Sequence, residues 1–434
     1  MIQHKRKVAI ETHGCKLNQA DSQGLAKMLR AKGFTITNLE DDVDVYILNT
    51  CTVTHVADRK ARQAIRKAKK RNEDSIIIVT GCYVQRDPSK FEEINEVDLI
   101  INNSNKETIA DSVASMFEDS IDHVNIYDHL ELSSRQLEYE AVRTRAMLKI
   151  QEGCNQVCAY CIVPKVRGKE LSIDPEQLIA SVITLEDMGY QEVVLTGTQL
   201  GSYGFDIPGY NLVRLLTEIL KNTSIPRIRV SSLQAHEIDT ELLSLWSDRR
   251  LCQHFHVPLQ SGSDNVLKRM RRRYTAAEFS EAIDLIQQNI PNAGITTDVI
   301  VGFPGESDEE FNETLTMCDT VNFSSMHIFP YSKRPSTSAY YFNDQVRTSV
   351  KNYRSNILLS LAKEKERIFS AAMTGIRHRV LWEKLIEVQG YNAWSGLTEN
   401  YLRVFCANKT DMHNSITEES VTRDTTGFLW VSNQ

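Results

Sequence analysis

Apolar runs at Val8 to Ile10, Val45 to Leu48 and Ile76 to Val79 alternate with stretches of helical period, Gln19 to Lys32 and Asp58 to Arg71. Short apolar runs bounded by turn residues are the mark of strands buried on both faces. Strands alternating with helices build a parallel sheet, so residues 1–135 are expected to form an N-terminal open parallel α/β sheet domain. The stretch from about 118 to 145 carries several charges and no clear period, which places a boundary there. From Ala146 to Ser332 the strand-helix pattern repeats six times, with strands near 147–150, 192–196, 227–231, 254–259, 295–301 and 325–329. Six units fall short of the eight that close a full barrel, so residues 146–345 are expected to form a central partial (β/α)6 TIM-like barrel with its chemistry at the C-terminal strand ends. Val350, Tyr353, Ile357 and Leu361 recur at helical spacing among many charges, which predicts a linking helix over 346–373. The runs RVLWEKLIEV, NYLRVFCA and GFLWVSN, separated by Gly, Asn and Asp, predict a small C-terminal β-barrel over 374–434.

Composition narrows the class. A chain of 434 residues with 41% hydrophobic positions is long enough for two to four globular domains. The stretch MIQHKRKVAIETHG has no long apolar h-region, and no uncharged apolar run approaches about 18 residues, so a cytoplasmic protein without a membrane partner is expected. Nine cysteines, an odd number, argue for metal binding or free thiols over a disulfide framework. The net charge of −7 gives no global case for nucleic-acid binding, which would have to come from local patches.

Two cysteine sets carry candidate chemistry. Cys154, Cys158 and Cys161 stand in IQEGCNQVCAYCIVP, on a loop bounded by Gly153 and Pro164 and following the first strand of the central domain. Three thiolates there fit an iron–sulfur cluster with one iron left open, or a zinc site completed elsewhere, and spacing alone decides neither. Cys15, Cys51 and Cys82 lie far apart, but each follows a predicted strand by a few residues, in THGC, LNTC and VTGC. Parallel strands end along one edge, so the three could converge there. Cys252, Cys318 and Cys406 share no such context and are expected to be buried thiols.

Two patches are basic. Eight Lys or Arg lie between Arg59 and Arg71, while Ala57, Ala61, Ala64, Ile65 and Ala68 form an apolar stripe. Arg62, Arg66 and Lys69 fall on successive turns of the predicted outward face, a candidate for phosphate contacts. Lys268 through Arg273, KRMRRR, is the other. Residues 375–434 hold six Lys or Arg against seven Asp or Glu, so RNA contact there would need a local patch or the rings of Trp394, Tyr401 and Trp430.

With THGCKLNQADSQ, LNTCTVTHVADRKARQAIRKAKKRN, VTGCY, IQEGCNQVCAYCIVPKVRGKE, VLTGTQLGSYG, HVPLQSGSDNVLKRMRRRY and TTDVIVGFPGE, the chain resembles the methylthiotransferases over essentially its whole length. These are radical S-adenosylmethionine (SAM) enzymes, whose CxxxCxxC signature here carries Tyr160 before its last cysteine. The resemblance implies two 4Fe-4S clusters: Cys154, Cys158 and Cys161 hold the one whose open iron binds SAM, and Cys15, Cys51 and Cys82 hold an auxiliary one. It makes the central domain a radical SAM barrel and the last domain TRAM-like. It places Gly197 and Thr198 near the methionine end of SAM, and Ser231, Ser232, Val301 and Gly302 near its ribose and adenine. The third-strand motif commonly carries an acidic residue where this chain has Gln234, and Lys165 stands where many relatives have an aromatic ring. Read without the family, LTGTQLGSYG is a strand-helix loop and GFPGE a turn with Glu306 early in a helix.

NTCTVT with ADRKARQAIR is most similar to the branch that acts on N6-threonylcarbamoyladenosine, 3′ of the anticodon in tRNA. That resemblance implies a methylthio group added at C2, with SAM as radical source and methyl donor and with an electron donor such as flavodoxin or ferredoxin. The protein's task would be mainly geometric, holding the target carbon and excluding solvent that quenches radicals. The substrate carries a carboxylate, which makes Arg167, just past the cluster loop, a candidate partner or else a structural ion pair. The competing branches act on isopentenyladenosine in tRNA or on an aspartate of a ribosomal protein, and a competing class is a zinc-containing RNA-binding protein.

Overall fold

The computed structural model describes residues 6–39, 41–117, 144–408 and 410–431. The chain forms two compact units, Met1–Val142 with Ile162–Lys169 and Arg143–Cys161 with Glu170–Gln434. Most of the stretch where lost periodicity places a boundary, 118–143, lies outside the described residues.

In the first unit five parallel strands, β1 (Lys7–Thr12), β2 (Thr35–Thr37), β3 (Val45–Thr50), β4 (Ile76–Gly81) and β5 (Leu99–Ile100), lie in the order β2-β1-β3-β4-β5. Every residue of β3 is buried, as a central parallel strand covered on both faces requires. Helix α1 (Lys16–Ala31) packs Leu25 and Leu29 against Val8 and Ile47 on one face of the sheet. Helix α2 (His55–Arg71) packs Ala61, Ala64 and Ile65 against Tyr46 and Leu48 on the other. The Thr54 hydroxyl accepts from Ala57 N and caps α2.

The second unit holds β6 (Arg145–Lys149), the small pair β7 (Gln151–Glu152) and β8 (Leu171–Ser172), then β9 (Glu192–Thr196), β10 (Arg227–Val230), β11 (His254–His256), β12 (Gly294–Val301) and β13 (Ser325–Pro330). The sheets β10-β9-β6 and β11-β12-β13 are parallel throughout, and the bridges Ile228–Leu251 and Ser232–His256 join them at β10 and β11. The result is a six-stranded half-barrel with an apolar shell around it. The helix Thr348–Ala372 follows. Its fully buried stripe is Arg354, Leu358, Ala362 and Lys365, one position beyond the apolar one expected, and Tyr353 is exposed. The shift has an ionic cause: Arg354 reaches the carboxylates of Glu306 at 2.6 Å and Asp308 at 2.7 Å.

The chain ends in a closed barrel of β14 (Arg377–Val388), β15 (Tyr391–Thr398), β16 (Arg403–Cys406), β17 (Ile416–Arg423) and β18 (Leu429–Val431), ordered β14-β15-β16-β18-β17. This barrel is fastened under the half-barrel by buried charge. Glu192 pairs with Arg227 and Arg229 at 2.8 Å each, and the two guanidiniums donate to the carbonyls of Leu397, Thr398 and Glu399. Removing one member of such a set strands a buried charge, at a cost of about 3–5 kcal/mol.

Candidate functional site

Because β1, β3 and β4 are adjacent and parallel, their C-terminal ends share one edge, and Cys15, Cys51 and Cys82 sit on the turns leaving it. Two glycines permit the approach. Gly14 has φ +100°, and a Cβ there would come within 2.7 Å of Cys51 Cβ; Gly81 has φ +100°, and a Cβ would lie 2.4 Å from the Thr50 carbonyl oxygen. Asn18 Nδ2 donates to the carbonyls of His13 (2.7 Å) and Thr50 (3.0 Å), stitching two of the turns together, and its Oδ1 lies 3.9 Å from Cys82 Sγ. Buried Asp58 accepts from Thr52 Oγ1 at 2.9 Å and pairs with Arg86 at 3.2 Å, tying the Cys51 turn to the short helix α3 (Cys82–Arg86).

Burial pushes the Cys51 thiol up to about 12, and a charge on Cys82 or Cys15 would oppose its ionisation further. Burial also raises Cys82, against the pull of Arg167 and Lys106. Thiols in this setting become thiolates only when a cation joins them, which is what cluster iron supplies.

The second trio stands on the loop after β7. Cys154 is buried, Cys158 and Cys161 half-buried. Two main-chain bonds anchor the loop, Ala159 N to Met270 O at 2.9 Å and Ala339 N to Ala159 O at 2.8 Å. Tyr160 packs with Phe303 and Tyr331, next to the loop. Arg272 Nη1 donates to Cys158 Sγ at 3.6 Å, placing a cation where thiolate charge would gather. A single zinc with Zn–S bonds of about 2.3 Å would hold its sulfurs about 3.8 Å apart. Among the described residues, the trio with all its ligand atoms within 4.8 Å of one another is His256, Asp298 and His327, and neither cysteine set is that tight. Three soft thiolates at each set are the donors that suit an iron–sulfur cluster with one iron left open.

The remaining expected residues gather at the C-terminal ends of the half-barrel strands. Gly197 lies against Gln151, whose Oε1 accepts from Thr198 N and Gln199 N at 2.9 Å each, and a Cβ at Gly197 would meet that oxygen at 3.0 Å. The hydroxyls of Thr198 and Ser231 are buried without a hydrogen-bond partner among the described residues, as polar atoms awaiting a ligand would be. Ser232 bridges to His256, and Val301 is buried. Gly302, at φ +68°, donates to Glu306 Oε2 at 2.6 Å. Glu306 is buried ahead of the helix Asp308–Thr320, which Ser307 caps, so its expected place within the helix is corrected.

Sequence reasoning missed Glu237. Its carboxylate accepts from Gln234 N at 2.8 Å and from Gln199 Nε2, and Gln234 Nε2 bonds Gln199 Oε1. An acidic group therefore does reach the network at the ends of β9 and β10, three residues after the position where one is usual. Burial raises its carboxyl. The signal was the capping pattern Gln234 to Glu237 on a one-turn segment.

Four further groups of expected side chains take their places in the fold. Arg167 is buried, bonded to Asn18 Oδ1 and paired with Asp21 at 3.0 Å, beside Cys82, so it acts within the first unit as a fixed cation near a cysteine. Of the α2 face, Arg66 is exposed, but Arg62 donates to Tyr83 OH at 2.9 Å and Lys69 to Ser75 O at 3.0 Å, both half-buried. The outward cations are Arg59, Lys60, Arg66, Lys67, Lys70 and Arg71. In the second patch Arg269 pairs with Glu310 and Arg272 faces Cys158, leaving Lys268, Arg271 and Arg273 outward. The C-terminal rings are also engaged: Tyr401 stacks on His254 at 4.3 Å, Trp430 donates to Asp424 at 2.8 Å and Trp394 packs on the barrel core. Among the described residues no helix is long and apolar enough to cross a membrane.

With this geometry in place, comparison with known proteins fixes the class. Residues 148–318 match the Radical SAM superfamily, and residues 7–102 match the family described as Uncharacterized protein family UPF0004. The chain belongs to the radical SAM tRNA methylthiotransferases. It is 42% identical over 404 residues to threonylcarbamoyladenosine tRNA methylthiotransferase MtaB of Aquifex aeolicus, covering 92% of this chain and 96% of that one. It is 37% identical over 426 residues to MtaB of Bacillus subtilis, covering 95% and 93%. A tRNA-2-methylthio-N(6)-dimethylallyladenosine synthase of Thermoanaerobacter is 36% identical over 387 residues, covering 86% and 81%. Among solved structures, the radical SAM methyltransferase TsrM of Kitasatospora setae shares the fold, with a TM-score of 0.56 at 14% identity over 77% of each chain.

Proposed function

We propose that this protein adds a methylthio group at C2 of N6-threonylcarbamoyladenosine in tRNA. The carrying observation is the second cysteine trio, built at the edge of a separate sheet, in a chain whose half-barrel already holds a three-cysteine loop. The branch follows the relatives named MtaB, which are similar to the chain over nearly its full length. Cys154, Cys158 and Cys161 would hold the SAM-binding 4Fe-4S cluster, and Cys15, Cys51 and Cys82 the auxiliary one. When bound, these clusters and SAM supply the one-electron chemistry that opens an unactivated C–H bond, the sulfur and the methyl group.

The chain's own residues position and shield. Asn18, Asp58 and Arg86 hold the three turns of the first trio in register, Arg167 lowers the cost of charge at Cys82, and Arg272 donates to Cys158 Sγ. The Glu237, Gln199 and Gln234 network, with the hydroxyls of Thr198 and Ser231, lines the strand ends with polar atoms suited to the amino-acid and ribose groups of SAM. The outward cations of α2 are the reading for tRNA phosphates. A flavodoxin or ferredoxin is the expected electron donor, the closed β-barrel from Arg377 to Val431 is read as a TRAM-like domain, and the cytoplasm is the expected compartment.

Nucleoside mass spectrometry of tRNA from cells with and without the gene tests this reading. The 2-methylthio derivative of threonylcarbamoyladenosine should vanish with the gene and return on complementation. Loss of the methylthio derivative of isopentenyladenosine instead would overturn the branch assignment.

A further inference from the structure

Inside the half-barrel, β11, β12 and β13 bring His256, Asp298 and His327 to one face. The register pairs His256 with Thr296 and Asp298 with His327, so Thr296 and Asp298, two residues apart, project to the same side as both imidazoles. The alternate residues Phe255, Ile295 and Val299 belong to the apolar shell on the other side. His256 Nε2 lies 3.3 Å from Asp298 Oδ2, and His327 Nδ1 lies 3.0 Å from Asp298 Oδ1. One ligand atom from each of the three residues falls within 4.8 Å of the others. For metal bonds of about 2.0–2.1 Å, a tetrahedral edge is about 3.3–3.4 Å, which the separation of His256 and Asp298 matches.

Hydrogen bonding sets the state of His256. Thr296 Oγ1 meets His256 Nδ1 at 2.9 Å and His254 Nε2 at 3.0 Å, and its own proton points toward the Phe255 carbonyl at 3.5 Å. A hydroxyl with one proton, directed at a carbonyl, must accept from both rings. His256 therefore carries a proton on Nδ1 and turns Nε2 toward Asp298. His256 Nε2 and His327 Nδ1 both face the Asp298 carboxylate, the arrangement that a divalent ion bound between them would use. The Thr296 bond is also the outer-sphere contact that fixes the tautomer of a metal-ligating histidine.

We infer that His256, Asp298 and His327 form a mononuclear site for a divalent transition-metal ion, separate from the cysteines. Two imidazoles and one carboxylate select ions of the zinc, iron and cobalt group over magnesium or calcium, and leave coordination positions open to water or an oxyanion.

The test uses the protein with both clusters reconstituted and a metal the clusters do not contain. After equilibrium dialysis against cobalt(II) and removal of free ion, elemental analysis should find about one cobalt per chain in the parent. Asp298→Asn, which keeps the shape, and His327→Ala, at the exposed end, should each lower cobalt at least about tenfold while the iron content and far-ultraviolet circular dichroism stay at parent values. A parent that binds no cobalt would overturn the site and leave the three residues as a hydrogen-bonded cluster. Cobalt binding undiminished in both variants would overturn it equally.

Discussion

The two cysteine sites reach similar chemistry by opposite constructions. In the half-barrel, three ligands lie within eight consecutive positions, Cys154 to Cys161, on a loop anchored at Ala159 by Met270 and Ala339. In the N-terminal unit, three ligands spread over 68 positions, Cys15 to Cys82, and meet because three parallel strands end at one edge. A local loop can keep its ligand spacing when much of the domain is perturbed. A site built by topology exists only while the sheet register, the two left-handed glycines and the Asn18 and Asp58 contacts all hold. The first construction is robust and legible; the second is distributed and fragile.

The sharpest way to break the comparison is to remove one site entirely. Replacing Cys154, Cys158 and Cys161 with Ala should abolish SAM cleavage and remove about half of roughly eight iron atoms per chain after anaerobic reconstitution. Cys51→Ala should also cost iron but leave SAM cleavage measurable. If the barrel triple variant still cleaved SAM, the open iron would have been assigned to the wrong trio.

Glycines separate construction from ligation. Gly81→Ala keeps all six cysteines but drives a Cβ to 2.4 Å from the Thr50 carbonyl oxygen at φ +100°. Backbone strain alone is worth about 1–3 kcal/mol, and the clash displaces the turn carrying Cys82. The expected result is auxiliary-cluster iron lost with SAM cleavage retained. Gly33→Ala is the control, because φ there is +89° with nothing within 4 Å of the added Cβ. It should cost about 1 kcal/mol in a denaturant melt and leave iron intact. Equal iron in the two variants would show that the edge tolerates displacement and is not a tight construction.

The same contrast explains what was readable beforehand. The strand pattern is carried by unbroken apolar runs, so β1, β3, β4 and all six barrel strands fall close to where periodicity puts them. Strands β15 and β17 were not among the C-terminal runs, because YNAWSGLT and ITEESVTR mix polar residues into strands half open to solvent. All six proposed cluster ligands were named from position. Their supports were not: Asn18, Asp58 and Arg86 look like ordinary helix-surface polar residues, and the burial of Asn18 and Asp58 follows from packing that only the folded sheet creates. Arg167 and Arg272 were visible as charges, but a run of basic residues does not say which cations turn inward. His256, Asp298 and His327 are spread over three strands and share no motif, so their meeting depends on register.

A smaller effect concerns tRNA. Arg59, Arg66 and Lys70 are outward on α2, whereas Arg62 and Lys69 are engaged with Tyr83 and Ser75. Replacing the outward three with Gln should weaken tRNA binding about tenfold or more at low salt. It should also reduce the slope of log affinity against log salt by about 0.7–0.9 for each phosphate no longer neutralised, with melting unchanged. Arg62→Ala should do the reverse, lowering stability through Tyr83 with little change in salt slope. An unchanged salt slope in the outward variant would move the tRNA reading to Lys268, Arg271 and Arg273.

The mildest test concerns protons at the topology-built site. In the cluster-free protein, burial holds the Cys51 thiol up to about 12, while an unfolded cysteine ionises near 8.5. Between those values the folded chain keeps a proton that the unfolded chain has shed, so the unfolded state binds fewer protons and stability falls as pH rises. The stability present below about pH 8.5 should therefore be lost progressively toward pH 12, by up to about 1.4 kcal/mol per pH unit from this one thiol. Denaturant melts at pH 8, 9 and 10 under reducing, iron-free conditions give that slope directly. Cys51→Ala should flatten it by about that amount. With the auxiliary cluster loaded, coordination keeps Cys51 as a thiolate and its share of the slope should disappear. A parent and a Cys51→Ala variant with the same slope would mean that solvent reaches the thiol in the cluster-free state, and that the sheet edge opens when iron is absent.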